Sequence, residues 1–225
     1  MKRVFLVLSL WLFVSQIGAA EQLGLSVSER YSYAMGARLG QLLKGQGVRD
    51  LDSKAFAAAI DDVLGNKPLR LTDAEMAEAI QAQQQQFAKQ RETLAEDNLK
   101  AGQAYLTANA GKADIVVLPS GLQYRVLEKG EGAQPQPTDT VRVHYHGTLI
   151  DGTVFDSSVD RGEPAEFPLP GVIPGFREAL SLMHVGDRWQ VFVPSALAYG
   201  EQGAGVDIGP NETLIFELNL LDIVK

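Results

Sequence analysis

Residues 141–158, VRVHYHGTLIDGTVFDSS, hold most of the side chains in this sequence whose type and spacing could do chemistry. Val141, Val143 and Tyr145 alternate onto one face of a strand, and Arg142, His144 and His146 onto the other. Asp151-Gly152 between apolar runs is the two-residue signature of a hairpin turn. The inward face therefore ends in a phenol, and the returning strand sets Phe155 beside the carboxylate of Asp156. Locally, two readings stay open. One is a hairpin with a half-buried tyrosine whose hydroxyl must find a partner. The other is the wall of an aromatic pocket carrying a few polar groups. Covalent chemistry has little to work with, because the chain has no cysteine and hence no thiol nucleophile, thiolate metal site or disulfide. His144 and His146 sit at i and i+2 with no carboxylate or cysteine clustered beside them, so a solvated face is favoured over a metal site. Asp156 and Tyr199 suggest acid–base work, but no nucleophile accompanies them.

The elements that must position these groups are short strands and turns. From Leu118-Pro119-Ser120-Gly121 onward the pattern predicts a strand with Leu122, Tyr124 and Val126 on one face, a Gly/Pro-rich loop over residues 130–138, and then the hairpin. A turn-rich segment follows to Phe167. Gly171-Val172-Ile173-Pro174-Gly175-Phe176 feeds a short helix, since Pro is tolerated in a first helical turn. Phe176, Leu180 and Met183 form its stripe, and strands on both sides predict that it packs across a sheet. Trp189, Val191 and Val193 alternate inward on the next strand. A Gly-rich loop runs from Tyr199 to Pro210, and the final strand carries Leu214, Phe216, Leu218 and Leu220 on one face.

The N-terminal part differs in kind. Lys2-Arg3, an apolar run over residues 4–14 and Gly18-Ala19-Ala20 read as a cleaved secretory signal, the apolar run being short of the ~20 residues that span a membrane. An uncleaved anchor is the alternative. The whole chain has a net charge of −8; removal of Lys2 and Arg3 leaves 18 basic against 28 acidic side chains, or −10. An acidic chain with no basic patch argues against nucleic-acid or anionic-membrane binding. Ser26 to Glu29 has capping-box spacing and predicts a helix to about Lys44, with Met35, Leu39 and Leu42 on one stripe. Gly36 and Gly40 share one side of it and suggest the close approach of another helix. Asp52 caps a second helix with Phe56, Ile60 and Val63 inward and Gly65 as its stop. Thr72 to Glu75 is a second capping box, opening a helix to about Ala110 that is roughly 50–55 Å long. Its apolar residues are sparse and Gln83 to Gln86 is polar all round, so it reads as a spacer or an arm, with low-complexity disorder as the alternative for the Gln run. Two short helices and a thin rod make a poor core, which predicts dimerisation through the N-terminal third.

The segments VHYHGTL, DGTVFDSS, GVIPGF, PSALAYG and GPNETLIFEL, in this order over about eighty residues, closely resemble the FK506-binding-protein class of peptidyl-prolyl cis–trans isomerases. With the signal, the helical third and the rod, the chain is similar to the exported macrophage-infectivity-potentiator and FkpA-like subgroup. The resemblance implies an α+β architecture. Residues 1–20 would be the signal peptide, 21–71 an all-α dimerisation domain and 72–110 a long connecting helix. Residues 111–225 would be an isomerase domain, an antiparallel β-sheet wrapped around a short α-helix. It implies a catalytic set of Tyr145, Phe155, Asp156, Tyr199 and Phe216. Arg161, Phe167, Val172, Ile173, Phe176 and Ile208 would complete substrate binding. Phe176 would be the floor, Phe155 a side wall, and the Ile173 N–H and Tyr199 hydroxyl donors to a bound carbonyl. Asp156 would sit at the rim, held by Tyr145 or Arg161, and Ile208 in a loop over the mouth.

The family most often has Trp where this chain has Phe176, and Ala204 to Asp207 lacks the bulky loop-tip residues of small members. Both departures bear on turnover and on affinity for macrolides. No cofactor or metal is implied. The implied partners are proline-containing polypeptides and unfolded exported proteins, a second copy of the chain through residues 21–71, and FK506- or rapamycin-type macrolides as inhibitors. The implied place is the periplasm, with outer-membrane association possible. The expected function is exported prolyl isomerisation during folding with chaperone activity; a non-catalytic dimeric holdase is the alternative.

Overall fold

The computed structural model describes residues 24–48 and 50–224; the signal-peptide reading of residues 1–20 lies outside them. Among the described residues no helix is long and apolar enough to cross a membrane. The chain divides between Phe56 and Ala57 into two compact units.

In the first unit, α1 (Val27–Gly45) begins where the sequence places it. Ser26 Oγ accepts from the Glu29 N–H and the Glu29 carboxylate accepts from the Ser26 N–H at 2.7 Å. No residue of α1 is buried; Tyr31 and Tyr33 are 67% and 77% exposed, and Met35 and Leu42 are open as well. A Cβ placed at Gly36 or Gly40 would meet nothing within 4 Å.

Helix α2 (Ser53–Leu64) runs across the division between the units. Asp52 Oδ1 caps it, accepting from the Lys54 and Ala55 N–H groups at 2.9 Å. The expected inward stripe is not inward within this chain: Ile60 and Val63 are 41% and 59% exposed and Phe56 is half-buried. The buried residue of α2 is instead polar, Asp62, held by Arg70 Nε at 2.8 Å. Among the described residues Ile60 and Val63 find no burying partner.

In the second unit, α3 (Asp73–Ala110) is continuous through Gln83–Gln86, and its Thr72/Glu75 capping box is formed. Seven antiparallel strands follow: β1 (Val116–Val117), β2 (Gln123–Glu128), β3 (Thr140–Leu149), β4 (Val154–Ser157), β5 (Ala165–Pro168), β6 (Arg188–Val193) and β7 (Leu214–Val224). Their order is β1-β2-β6-β7-β3-β4, with β5 also paired to β3. A one-turn helix α4 (Ser158–Arg161) follows β4, and α5 (Pro174–Leu182) packs on the sheet's inner face with Pro174 in its first turn. Val141, Val143, Leu180, Met183, Val191, Val193, Leu214, Leu218 and Leu220 are fully buried around it. The hairpin between β3 and β4 is longer than the two-residue turn expected. The Leu149 carbonyl accepts from the Gly152 N–H and the Leu149 N–H donates to the Thr153 carbonyl, which makes a three-residue loop with Gly152 at positive φ.

The rod expectation needs correcting for its C-terminal half, which docks on the outer face of the sheet. Tyr105 meets Phe192 at 6.1 Å. Asn109, fully buried, donates to Gln123 Oε1 at 2.9 Å, and Gln123 Nε2 donates to the Leu106 carbonyl at 2.9 Å. Gln123, facing away from Leu122 and Tyr124, is therefore buried, and Val126, at the far end of their face, is exposed. Periodicity missed this docking because, Tyr105 apart, the stripe that docks is polar or small. At its centre a Cβ on Gly102 would lie 2.3 Å from Thr213 Oγ1 and 3.2 Å from Thr213 Cβ, and Thr213 is buried and β-branched. Gly102→Ala gains about 1 kcal/mol of helix propensity but overpacks this contact by about 1–3 kcal/mol. Its thermal midpoint should fall by a few degrees; a rise would contradict the docking.

Candidate active site

The site grows from the inner face of β3. Tyr145 is buried, and its backbone is clamped by a residue that sequence reasoning passed over. Ser158, fully buried, accepts from the Tyr145 N–H at 2.8 Å and donates to the Tyr145 carbonyl at 3.2 Å. Helix α4 begins on the Ser157 side chain, which accepts from the Asp160 N–H, and its single turn brings Arg161 back over the hairpin. The Tyr145 hydroxyl donates to Asp156 Oδ2 at 2.5 Å and accepts from Arg161 Nη2 at 2.8 Å. Arg161 also pairs with Asp156 Oδ1, and its guanidinium carbon lies 5.5 Å from the Tyr145 ring centre. One phenol, one carboxylate and one guanidinium thus close a triangle along the rim, so both proposed holders of Asp156 are present.

Burial pushes the Tyr145 phenol up, as does the hydrogen bond to Asp156, against a smaller opposing effect of Arg161. For Asp156, partial burial pushes the carboxyl up, but the hydrogen bonds from Tyr145 and Arg161 and the guanidinium charge outweigh it and hold the carboxyl below its usual range. The phenol therefore stays protonated and the carboxylate ionised across neutral pH.

Below the rim lie five rings. Phe176, at the start of α5, stands edge-on to Phe216 at 5.2 Å, Phe167 at 5.8 Å and Tyr145 at 6.2 Å. Phe155 stands edge-on to Phe216 at 5.5 Å, and Tyr145 tilts against Phe167 at 5.6 Å. Such edge-to-face geometry is the favoured one for aromatic pairs. A second residue that the sequence reading missed makes room for it. A Cβ on Gly147 would lie 2.6 Å from Phe155 Cζ and 3.0 Å from Phe216 Cε1. A lone Gly within an alternating strand is the signal that could have found it.

Of the expected residues, Tyr145, Phe155, Phe167, Phe176, Phe216, Val172, Ile173 and Ile208 fall in one packed cluster, with Asp156 and Arg161 at its edge. The Ile173 N–H, at the N-terminal boundary of α5, makes no backbone hydrogen bond among the described residues. Tyr199 stands apart: it is 40% exposed, it meets none of the five rings, and its hydroxyl has no partner among the described residues. His144 and His146 lie on the other face of β3, with Nδ1 atoms 3.1 and 3.0 Å from the Ser158 and Ser157 hydroxyls. Among the described residues there is no group of three or more side chains suited to a metal. The arrangement is a packed apolar cluster of five rings with an ionised rim beside it and the Ile173 N–H at its edge.

Two family models match the chain. "FKBP-type peptidyl-prolyl cis-trans isomerase" matches residues 131–221, and "Domain amino terminal to FKBP-type peptidyl-prolyl isomerase" matches residues 28–126. The chain is 46% identical over 201 residues to the "Outer membrane protein MIP" of Legionella longbeachae, covering 88% of this chain and 86% of that one. It is 47% identical over 209 residues to the "FKBP-type 22 kDa peptidyl-prolyl cis-trans isomerase" of Escherichia coli, covering 88% and 97%. The crystal structure of FkpA from Escherichia coli superposes with a TM-score of 0.62 at 36% identity, covering 88% of this chain and 97% of that one.

The rim predicts a pH dependence. A carboxyl whose folded pKa is depressed contributes stability above its unfolded pKa of about 3.9 and loses it as pH falls through the folded value. Asp156→Asn should therefore flatten the acid limb of the thermal midpoint against pH, with the two proteins converging at low pH. Parallel acid limbs would show that the triangle does not hold the carboxylate.

Proposed function

The chain belongs to the FKBP-type peptidyl-prolyl cis–trans isomerases, and on that premise we propose that the five-ring cup is where it turns X-Pro bonds over. The single observation that carries the assignment is Phe176, packed edge-on against three of the rings, with the Tyr145–Asp156–Arg161 triangle above. The chemistry needs no nucleophile. An X-Pro bond rotates over a barrier of about 18–20 kcal/mol because rotation breaks amide resonance. At the twisted transition state that resonance is gone and the amide dipole is smaller. An apolar hollow therefore favours the twisted form over the planar one. Phe176 and Phe216 support the prolyl ring, with Phe155 and Phe167 as walls. The Ile173 N–H and the Tyr199 hydroxyl, both without a partner among the described residues, hold the carbonyl, and the ionised Asp156 faces the twisting amide carbon. Each 1.36 kcal/mol of preferential stabilisation is about a tenfold gain in rate.

The substrates are proline-containing polypeptides, and unfolded exported chains are the clients we propose. FK506- or rapamycin-type macrolides are the inhibitors we propose for the same site. Residues 1–20 act as the export signal and the protein works in the periplasm; association with the outer membrane follows the printed name of the Legionella relative. A second copy covers the N-terminal helices α1 and α2. The support is the exposed Tyr31, Tyr33, Met35 and Leu42 on α1, Ile60 and Val63 on α2, and the open surface at Gly36 and Gly40. Residues 21–71 are then the dimerisation domain, 72–110 the connecting helix and 111–225 the isomerase domain. Chaperone activity accompanies isomerisation. A non-catalytic holdase is the weaker reading, because the isomerase family model matches residues 131–221, which carry the packed rings.

In a protease-coupled assay on a proline tetrapeptide, the wild type should accelerate isomerisation. Tyr199→Phe should lower kcat/KM by about three- to tenfold, the size of one neutral hydrogen bond, and Asp156→Ala by on the order of tenfold or more. A wild type no faster than background contradicts the assignment. In analytical ultracentrifugation the mature chain should sediment as a dimer, and Gly36→Leu with Gly40→Leu should shift it toward monomer. A wild-type monomer at tens of micromolar contradicts the dimer.

A further inference from the structure

The loop that begins after Tyr199 and carries Ile208 is tied to the long helix, at a distance in sequence of more than a hundred residues. Its neck is closed by the Asn211 N–H donating to the Gly200 carbonyl at 2.8 Å. Across the loop, Ala204 and Ile208 exchange two backbone hydrogen bonds at 2.9 and 3.1 Å, which turns Ile208 inward into the cluster with Tyr145 and Phe176. Three side chains fasten this loop to α3. Arg91 Nη2 donates to the Glu201 and Gln202 carbonyls at 3.1 and 2.6 Å. Asn98 Nδ2 donates to the Pro210 carbonyl and to Glu212 Oε1 at 2.9 and 3.0 Å. In return, Asn211 Nδ2 donates to the Ala95 carbonyl at 3.2 Å. Residues 91, 95 and 98 follow at steps of four and three, so they lie on one face, which Gly102 and Asn109 continue down to the sheet.

We propose that Arg91 and Asn98 are positioning residues for prolyl isomerisation. They hold the 200–211 loop so that Tyr199 and Ile208 meet the substrate in an already ordered cup. The inference rests on the reading of the cup as the isomerising site. Loops of this kind open locally at little cost, and a site that is competent only part of the time binds more weakly in proportion to that fraction. Arg91 is exposed and the contacts it makes are at the surface, so its removal costs the global fold little. The effect should therefore fall on substrate binding rather than on stability.

The test uses the mature full-length chain as wild type, the double variant Arg91→Ala/Asn98→Ala, Arg91→Lys, and Asn109→Ala, which loosens α3 at its other end. KM and kcat are measured on the proline tetrapeptide, and amide hydrogen exchange is followed over residues 199–213. The double variant should raise KM about three- to tenfold with kcat within about twofold, and speed exchange in the loop. Arg91→Lys should stay nearer the wild type, and Asn109→Ala should lower the thermal midpoint without moving KM. An unchanged KM in the double variant, or an equal rise in Asn109→Ala, overturns the proposal. A wild type without turnover overturns the functional reading instead. Loop exchange then still decides this one, faster in the double variant if the brace exists and unchanged if it does not.

Discussion

The site depends on how closely α5 approaches the sheet. A Cβ on Gly175 would lie 2.5 Å from Val193 Cγ1 and 3.3 Å from Leu122 Cδ1, so only a glycine lets the helix start sit this deep. That depth makes Phe176 a shared edge-on partner of Phe216, Phe167 and Tyr145 rather than a residue capping the sheet from above. Gly147 solves the same problem on β3, where Phe155 and Phe216 occupy the space a side chain would take. Two missing Cβ atoms thus let the rings pack edge-on. The polar groups stay at its edge, where the Tyr145 hydroxyl uses its donor on Asp156 and its acceptor on Arg161.

This arrangement suits a reaction in which a bond rotates and none is broken. On the proposed reading, the apolar rings lower the cost of losing amide resonance, and the Ile173 N–H and Tyr199 hydroxyl are the donors that hold the carbonyl. The loop bearing Tyr199 is the least enclosed part of the cup, and it is also the part that the long helix reaches. The helix thereby serves two neighbourhoods in one element, packing polar residues on the sheet near Gln123 and fastening the loop near Pro210. The N-terminal helices have the opposite character, with apolar side chains exposed along α1 and α2.

Much of the β-rich half was legible because its core follows the period of its elements. The inward sets Val141, Val143, Tyr145 and Trp189, Val191, Val193 read directly from alternation, and Pro174 marked the start of α5. The capping boxes at Ser26 and Thr72 placed two helix starts for the same reason, since each is a local hydrogen-bond pattern. The docking of α3 was not legible because its stripe is Arg91, Ala95, Asn98, Gly102 and Asn109, which no apolar period reveals. Gln123, on the opposite face of β2 from Leu122 and Tyr124, is buried because a buried asparagine on that helix satisfies it. The pocket aromatics could be assigned only through the family resemblance; periodicity alone gives inward-facing rings and does not distinguish a cup from a core. Ser158 and Gly147 act through backbone contact and vacant space, neither of which leaves an apolar signature.

Two-dimensional NMR exchange spectroscopy of a proline peptide with catalytic amounts of the mature chain tests the central claim most directly. It reads cis–trans interconversion and the site of binding in one sample. The account predicts exchange cross-peaks between the two isomers that are absent without protein, with shift changes in the protein centred on Tyr145, Phe155, Phe176 and Phe216. Exchange no faster than in the free peptide, or shift changes confined to the His144 and His146 face of β3, would contradict it.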